Sequence, residues 1–191
     1  MCIRDSRVAG PCSGQTVVIH GAGMLGLTAA AMARFEGARH VIVSDPREDR
    51  RRQAEQFGAD AVTPADLQEL TEGRGADLGI DLSGAPEAVE EALAQARVGG
   101  RVILVGSVFP TRDLSVRADE LVRRLLRVEG VHNYTPEDLL TAFTFLGEVH
   151  EQFPFRSLVG ASYPLTRIED AIESALPGKH FRVAVRPRED R

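Results

Sequence analysis

Eighteen residues, Thr16 to Ala33 (TVVIHGAGMLGLTAAAMA), constrain this chain more than any other stretch. Thr16 to His20 are mostly β-branched and read as a short buried strand. They run directly into Gly21-Ala22-Gly23-Met24-Leu25-Gly26, a G-x-G-x-x-G sequence, and then into an Ala-rich helix. In a dinucleotide site each glycine has a physical task. Gly21 permits the tight turn out of the strand, Gly23 admits a pyrophosphate to the backbone, and Gly26 lets helix and strand pack closely. The helix N-terminus, reached through Met24 and Leu25, offers N–H groups and partial positive charge to phosphate oxygens. Asp45 follows at the end of a second strand, His40 to Ser44, where a carboxylate can accept hydrogen bonds from both adenosine ribose hydroxyls. Strand before, helix after and acid at the next strand end together point to nucleotide binding rather than to a Gly-rich turn that merely packs.

The remainder of the first 150 residues keeps the same alternation. Polar helix Glu48 to Phe57 is stopped by Gly58, and a third strand is expected at Ala59 to Val62, followed by a helix at Ala65 to Thr71. A fourth strand, Ala76 to Leu82, ends at Ser83-Gly84. Pro86 opens a helix to Ala96, its missing N–H costing nothing at that position. Gly99-Gly100 then turns the chain into a fifth strand, Arg101 to Val105, closed by Gly106-Ser107. A helix near Ala118 to Leu126, a sixth strand (Arg127 to His132) and a helix from Pro136 to Gly147 complete the series. The fold class is therefore α/β, a Rossmann-type doubly wound parallel sheet of six strands. The expected division is a connector over residues 1–14, the sheet domain over 15–150, and a tail over 151–191 that does not extend the alternation. Phe155 to Gly160, a helix from Ile168 to Leu176, and Phe181 to Val185 make up that tail.

Composition excludes several classes. With 23 basic and 28 acidic residues the net charge is −5, which argues against nucleic acid and anionic membrane as partners. No apolar run approaches the roughly 20 residues needed to span a bilayer, and MCIRDSR lacks the apolar core of a secretion signal. The two cysteines, Cys2 and Cys12, have no metal-type spacing, so a reducing, cytoplasmic setting is expected. Cys12 reads as a bystander. His20 reads as a satisfied, partly buried histidine, and Glu87, Glu90 and Glu91 as a solvated helix face. Arg50 either flanks the adenosine or stands on a solvated face. The strand-end rule nominates Gly21 to Gly26, Asp45, Ser83-Gly84, Gly106-Ser107 and His132-Asn133 as ligand-facing. No zinc set, no G-x-S-x-G elbow and no Ser/His/Asp set can be assembled.

VVIHGAGMLGLTAAAMARFEGARHVIVSDPREDRRRQAEQFGADAV resembles the cofactor domain of medium-chain, zinc-type alcohol dehydrogenases. The likeness continues through GADLGIDLSGAPEAVEEALAQARVGGRVILVGS to PLTRIEDAIESALPGKHFRVAVRP. Within that superfamily GSVFP, GVHNYTPEDLLTAF and FPFRSLVGASYPL are most similar to alcohol dehydrogenases associated with phosphonate catabolism. The resemblance implies NAD as cofactor and hydride transfer to or from a small-molecule alcohol. By position it implies that Gly21, Gly23, Met24, Leu25 and Gly26 hold the pyrophosphate, with Asp45 and Arg50 at the adenosine ribose. Ser83, Gly84, Val105, Gly106 and Ser107 would line the nicotinamide side, with His132 and Asn133 at its carboxamide. Arg182 would reach back to the pyrophosphate. A homodimer through the sixth strand is also implied. In this family zinc and the proton relay belong to a preceding barrel-like domain. Only about fifteen residues precede the first strand, and the Gly-His-Glu and four-cysteine zinc motifs have no match. The chain is thus expected to be a C-terminal part, with zinc in the N-terminal domain of the whole protein and the tail completing that domain. The competing classes are a stand-alone dinucleotide-binding or sensor module and an adenosyl-methionine methyltransferase. The latter is disfavoured by the regular glycine loop.

Overall fold

The computed structural model describes residues 10–60 and 64–187. The chain divides into two compact units, Met1–Val149 and His150–Arg191.

In the first unit β1 (Thr16–His20) is buried along its whole length, as its β-branched run requires. It pairs in parallel with β2 (His40–Ser44) on one side and β3 (Ala76–Asp81) on the other. β4 (Ala96–Leu104) and β5 (Arg127–Gly130) extend the sheet in the order β2-β1-β3-β4-β5. Side chains alternate across this sheet. Val17, Ile19, Leu78 and Ile80 face α1 (Met24–Phe35), where Ala29 and Ala33 lie against them. Val18 and Ile42 face the other way, onto Leu67 of α3 (Pro64–Leu70). Val102 shares that face with Val89, Ala92 and Leu93 of α4 (Pro86–Gln95). α2 (Glu48–Gln56) and the short α5 (Ala118–Arg123) are polar. α6 (Pro136–Val149) returns to the α1 face, with the Phe145 ring 5.5 Å from that of Phe35. Each fully buried Val, Leu or Ile contributes about 1.5–3 kcal/mol, so the two-sided sheet carries most of this unit's stability. At its N-terminal edge the Asp77 carboxylate accepts the Thr16 amide at 2.8 Å and both Arg74 and Arg97 side chains. Those cations hold its carboxyl well below the usual carboxylate range.

Against the six strands expected, this sheet has five among the described residues, and the segment without a place in it is the expected third. Of the third strand expected at 59–62, Ala59 and Asp60 lie outside any strand, and residues 61 and 62 lie outside the described residues. Asp60 instead ends the β2 side: its amide donates to the Val41 carbonyl and its carboxylate accepts the Val41 amide. β4 begins at Ala96, inside the stretch expected to be helix end and turn. The register shifts between Ala76↔Ala96 and Leu78↔Arg101, and Gly99-Gly100 takes up the extra residues. The last strand of the sheet stops at Gly130 rather than His132.

The second unit has a structure of its own. After a 3₁₀ turn (Phe155–Leu158), β6 (Val159–Pro164) and β7 (Arg182–Arg186) pair in parallel across α7 (Ile168–Ala175). The tail expected to lack a further βα unit is therefore a small β-α-β unit, with Val159↔Arg182 and Pro164↔Arg186 at the ends of its ladder.

Candidate functional site

Consecutive strands leave β1 in opposite directions, to β2 on one side and β3 on the other, so a crevice opens at the C-terminal ends of these three strands. It measures about 630 Å³ and is lined by Gly21, Gly23, Asp45, Arg50 and Ser83 among others. A second cleft of about 450 Å³ opens at the ends of β4 and β5, lined by Val105, Ser107, Val131 and His132.

The glycine loop forms the wall of the first cleft. A Cβ on Gly26 would overlap the Gly21 carbonyl, so only glycine lets α1 start this close to β1. Gly23 caps α1 without a side-chain hydrogen bond, and no acid stands in the first turn. Met24 and Leu25, half-buried, form this first turn. Arg50 is half-buried as well, and its guanidinium lies 4.0 Å from where a Cβ on Gly23 would sit. Arg50 therefore stands at the glycine loop, not on an open helix face.

Asp45 faces that loop. Its Oδ2 accepts the Ala22 amide at 2.8 Å and its Oδ1 the Arg47 amide at 2.9 Å. Each carboxylate oxygen keeps a lone pair for a further donor. The Asp45 carbonyl accepts from Arg51 at 2.7 Å, and Arg47 is turned to Asp49.

His20 departs from expectation. His20 is fully buried, with Nδ1 3.8 Å from Glu91 Oε2 and Nε2 without a hydrogen-bond partner among the described residues. Burial pushes its pKa below the ordinary histidine value, against the pull of Glu91 and Asp81. Glu87 and Glu90 grip Arg112, from the loop after β4, at 2.8 and 2.7 Å, and Glu90 also accepts the Ser115 amide. Arg112 and that amide hold the Glu90 carboxyl down at about 2. The face reaches solvent, as expected, and it also anchors a loop whose arginine arrives from 22 to 25 residues downstream.

The residue that the sequence reading missed is Asp81, fully buried at the end of β3. It accepts hydrogen bonds from Ser83 and Gly84 on one side and from the Ser107 hydroxyl on the other. Gly84 and Gly106 meet so closely that a Cβ on either would overlap the other's backbone. An ionisable residue inside an apolar strand, two positions before Ser-Gly, was the available signal.

His132 and Asn133 follow β5 and are exposed, Asn133 at φ 61°. Arg182 opens β7 in the second unit, exposed, with Nη1 donating to the Phe181 carbonyl at 3.4 Å. Burial and the adjacent Glu36 push the Cys12 thiol up to about 12, which suits its bystander reading.

A family model described as zinc-binding dehydrogenase matches residues 25–148. The chain belongs to the zinc-binding dehydrogenase family. Within it, the chain is 39% identical over 135 residues to an L-threonine 3-dehydrogenase of Thermococcus kodakarensis, a match covering 66% of this chain and 38% of the relative. An alcohol dehydrogenase of Thermotoga maritima superposes with a TM-score of 0.89 at 26% identity, covering 97% of this chain and 53% of that one. A protein of Sinorhizobium meliloti 1021, assigned as a zinc-binding dehydrogenase and bound to NADP, gives 0.76 at 25% identity over 90% of this chain and 52% of its own. The chain thus spans about half the length of the solved structures it matches, and less of the threonine dehydrogenase.

The fold family implies both a nicotinamide cofactor and zinc. The first fits: the glycine cradle that a Cβ would fill, the helix terminus with no acid in its first turn and Arg50 near it, and the Asp45 carboxylate are the donors, charge and acceptor that a dinucleotide needs. Zinc does not fit, since no group of three His, Cys, Asp or Glu able to hold a metal occurs among the described residues. No helix among them is long and apolar enough to cross a membrane.

Proposed function

We propose that this chain holds NAD(H) for a dehydrogenase that oxidises an alcohol. The observation that carries this reading is the juxtaposition at the end of β1. A glycine-only approach of loop to helix, a helix N-terminus without a side-chain cap and with Arg50 near it, and a strand-end carboxylate line one crevice. When bound, NAD accepts a hydride from the alcohol carbon. The chain's own residues supply binding and orientation. Amides of Met24 to Gly26 and the Arg50 guanidinium would receive the pyrophosphate, whose charge the helix terminus favours. Asp45, with one lone pair left on each oxygen, would accept the ribose hydroxyls. Ser83, Gly84, Val105, Gly106 and Ser107 form the walls against which the nicotinamide half would lie, and His132 and Asn133 would border its carboxamide through the backbone.

The alcohol itself is a finer matter. The strings GSVFP, GVHNYTPEDLLTAF and FPFRSLVGASYPL support an alcohol met in phosphonate catabolism, whereas the threonine dehydrogenases among the relatives support an amino-acid alcohol. Pairing of two chains along β5 completes the proposal.

NADH fluorescence titration of the 191-residue chain tests the reading, with adenosyl-methionine calorimetry beside it. Saturable NADH binding lost in Gly26→Ala is the expected result. Binding of adenosyl-methionine but not NADH would overturn it.

A further inference from the structure

We propose that Asp81 is a positioning residue that fixes the separation between the two halves of the dinucleotide site. The inference rests on the dinucleotide reading above and goes beyond it. Two clefts open side by side at the strand ends, one with the glycine loop, Asp45 and Ser83, the other with Val105, Ser107 and His132. Asp81 is the buried group that touches the rim of both. Its Oδ1 accepts the Ser83 amide at 3.0 Å, the Ser83 hydroxyl at 2.8 Å and the Gly84 amide at 3.0 Å. Its Oδ2 accepts the Ser107 hydroxyl at 3.1 Å. Its carbonyl accepts the amides of Val105 and Gly106, both at 3.0 Å. One residue therefore ties the loop after β3 to the loop after β4 through side chain and main chain together. At Gly84 and Gly106 the two loops' backbones already meet without space for a Cβ on either.

This arrangement matters for a ligand made of two linked nucleotides. Once one half is bound, the other meets its cleft at an effective concentration set by the distance between the clefts. A clasp that fixes this distance strengthens the linked ligand and leaves each separate half nearly untouched. A residue that merely stabilised the fold, or shaped one cleft, would not produce that split.

Asp81→Asn keeps size and an accepting oxygen for the Ser83 side, but the Ser107 link falls from a charge-assisted bond to a weaker neutral one in which the Ser107 oxygen accepts. Ser107→Ala removes the same link from the opposite loop. With the full chain, the affinities for NADH, AMP and reduced nicotinamide mononucleotide are measured for each variant. NADH affinity is expected to fall about tenfold in either variant, with AMP and the mononucleotide changed less than twofold. The double variant should lose no more than the larger single loss, because both act on the one Ser107 link. Asp77→Asn, the matched loss of a buried carboxylate at the far end of the sheet, should leave NADH affinity unchanged. Equal losses for all three ligands, no loss at all, or a matching loss in Asp77→Asn would overturn the inference while leaving the dinucleotide reading intact. Failure of the unsubstituted chain to bind NADH would instead overturn that reading. If Asp81→Asn does not fold, Ser107→Ala, a single hydroxyl removed, carries the test alone.

Discussion

At the end of β2 the Asp45 carboxylate already holds two backbone amides, Ala22 at 2.8 Å and Arg47 at 2.9 Å, and this fixes where its negative charge stands. A 2′-phosphate on the adenosine ribose would meet that charge in a half-buried crevice, at a cost of roughly 1–3 kcal/mol. Arg47 is engaged with Asp49, and Arg50 stands at the glycine loop, so offsetting that charge would draw either from its present partner or place. NADH should therefore bind roughly tenfold or more tightly than NADPH. Asp45→Ser should narrow the gap, chiefly by tightening NADPH. Parallel fluorescence titrations of the two cofactors check this, and equal affinities in the unsubstituted chain would remove the role given to Asp45.

Among the elements, β5 is the one whose outer edge is unpaired in the sheet and all of whose residues are exposed. Such an edge is a template for another strand. In an antiparallel pair of β5 strands centred on Val128, Arg127 of each chain would face Glu129 of the other, so the strand is complementary to itself under a two-fold axis. Sedimentation at micromolar concentration should find a dimer. Glu129→Arg should weaken it by roughly tenfold, since two attractive pairs of about 0.2–1 kcal/mol become repulsive. The charge-exchanged Arg127→Glu, Glu129→Arg chain should recover it. A monomer throughout would sink the pairing. Elements like β1 and α1 were legible in the sequence because period, glycine spacing and a helix stop at Gly37 are local signals. The start of β4 was not, because Ala96 joins the sheet only by pairing with Ala76, twenty residues away, and the Gly99-Gly100 signal for a turn belongs to a register shift. The site divides the same way. Gly21 to Gly26 and Asp45 announce themselves by spacing, whereas Asp81, His20 and the Glu87–Arg112–Glu90 anchor acquire meaning only from partners on other elements.

Over the whole chain, the groups that would receive a dinucleotide and the groups that would activate an alcohol are unequally supplied. The first unit has the glycine cradle, the strand-end carboxylate and the clasped walls, whereas no metal-holding set occurs among the described residues of either unit. Zinc in a dehydrogenase polarises the alcohol oxygen and lowers its pKa, worth several kcal/mol of barrier. Three or four Cys, His or carboxylate ligands must converge to hold it. The two clefts are also open to water, which weakens electrostatic contacts to a bound cofactor. The 191-residue chain should accordingly bind NADH weakly, purify without stoichiometric zinc, and show no NAD-coupled oxidation of L-threonine, simple alcohols or hydroxy-phosphonates. Metal analysis of the purified chain and a coupled assay across that panel check both halves of this expectation. Bound zinc near one equivalent, or turnover that survives chelation and repurification, would overturn it.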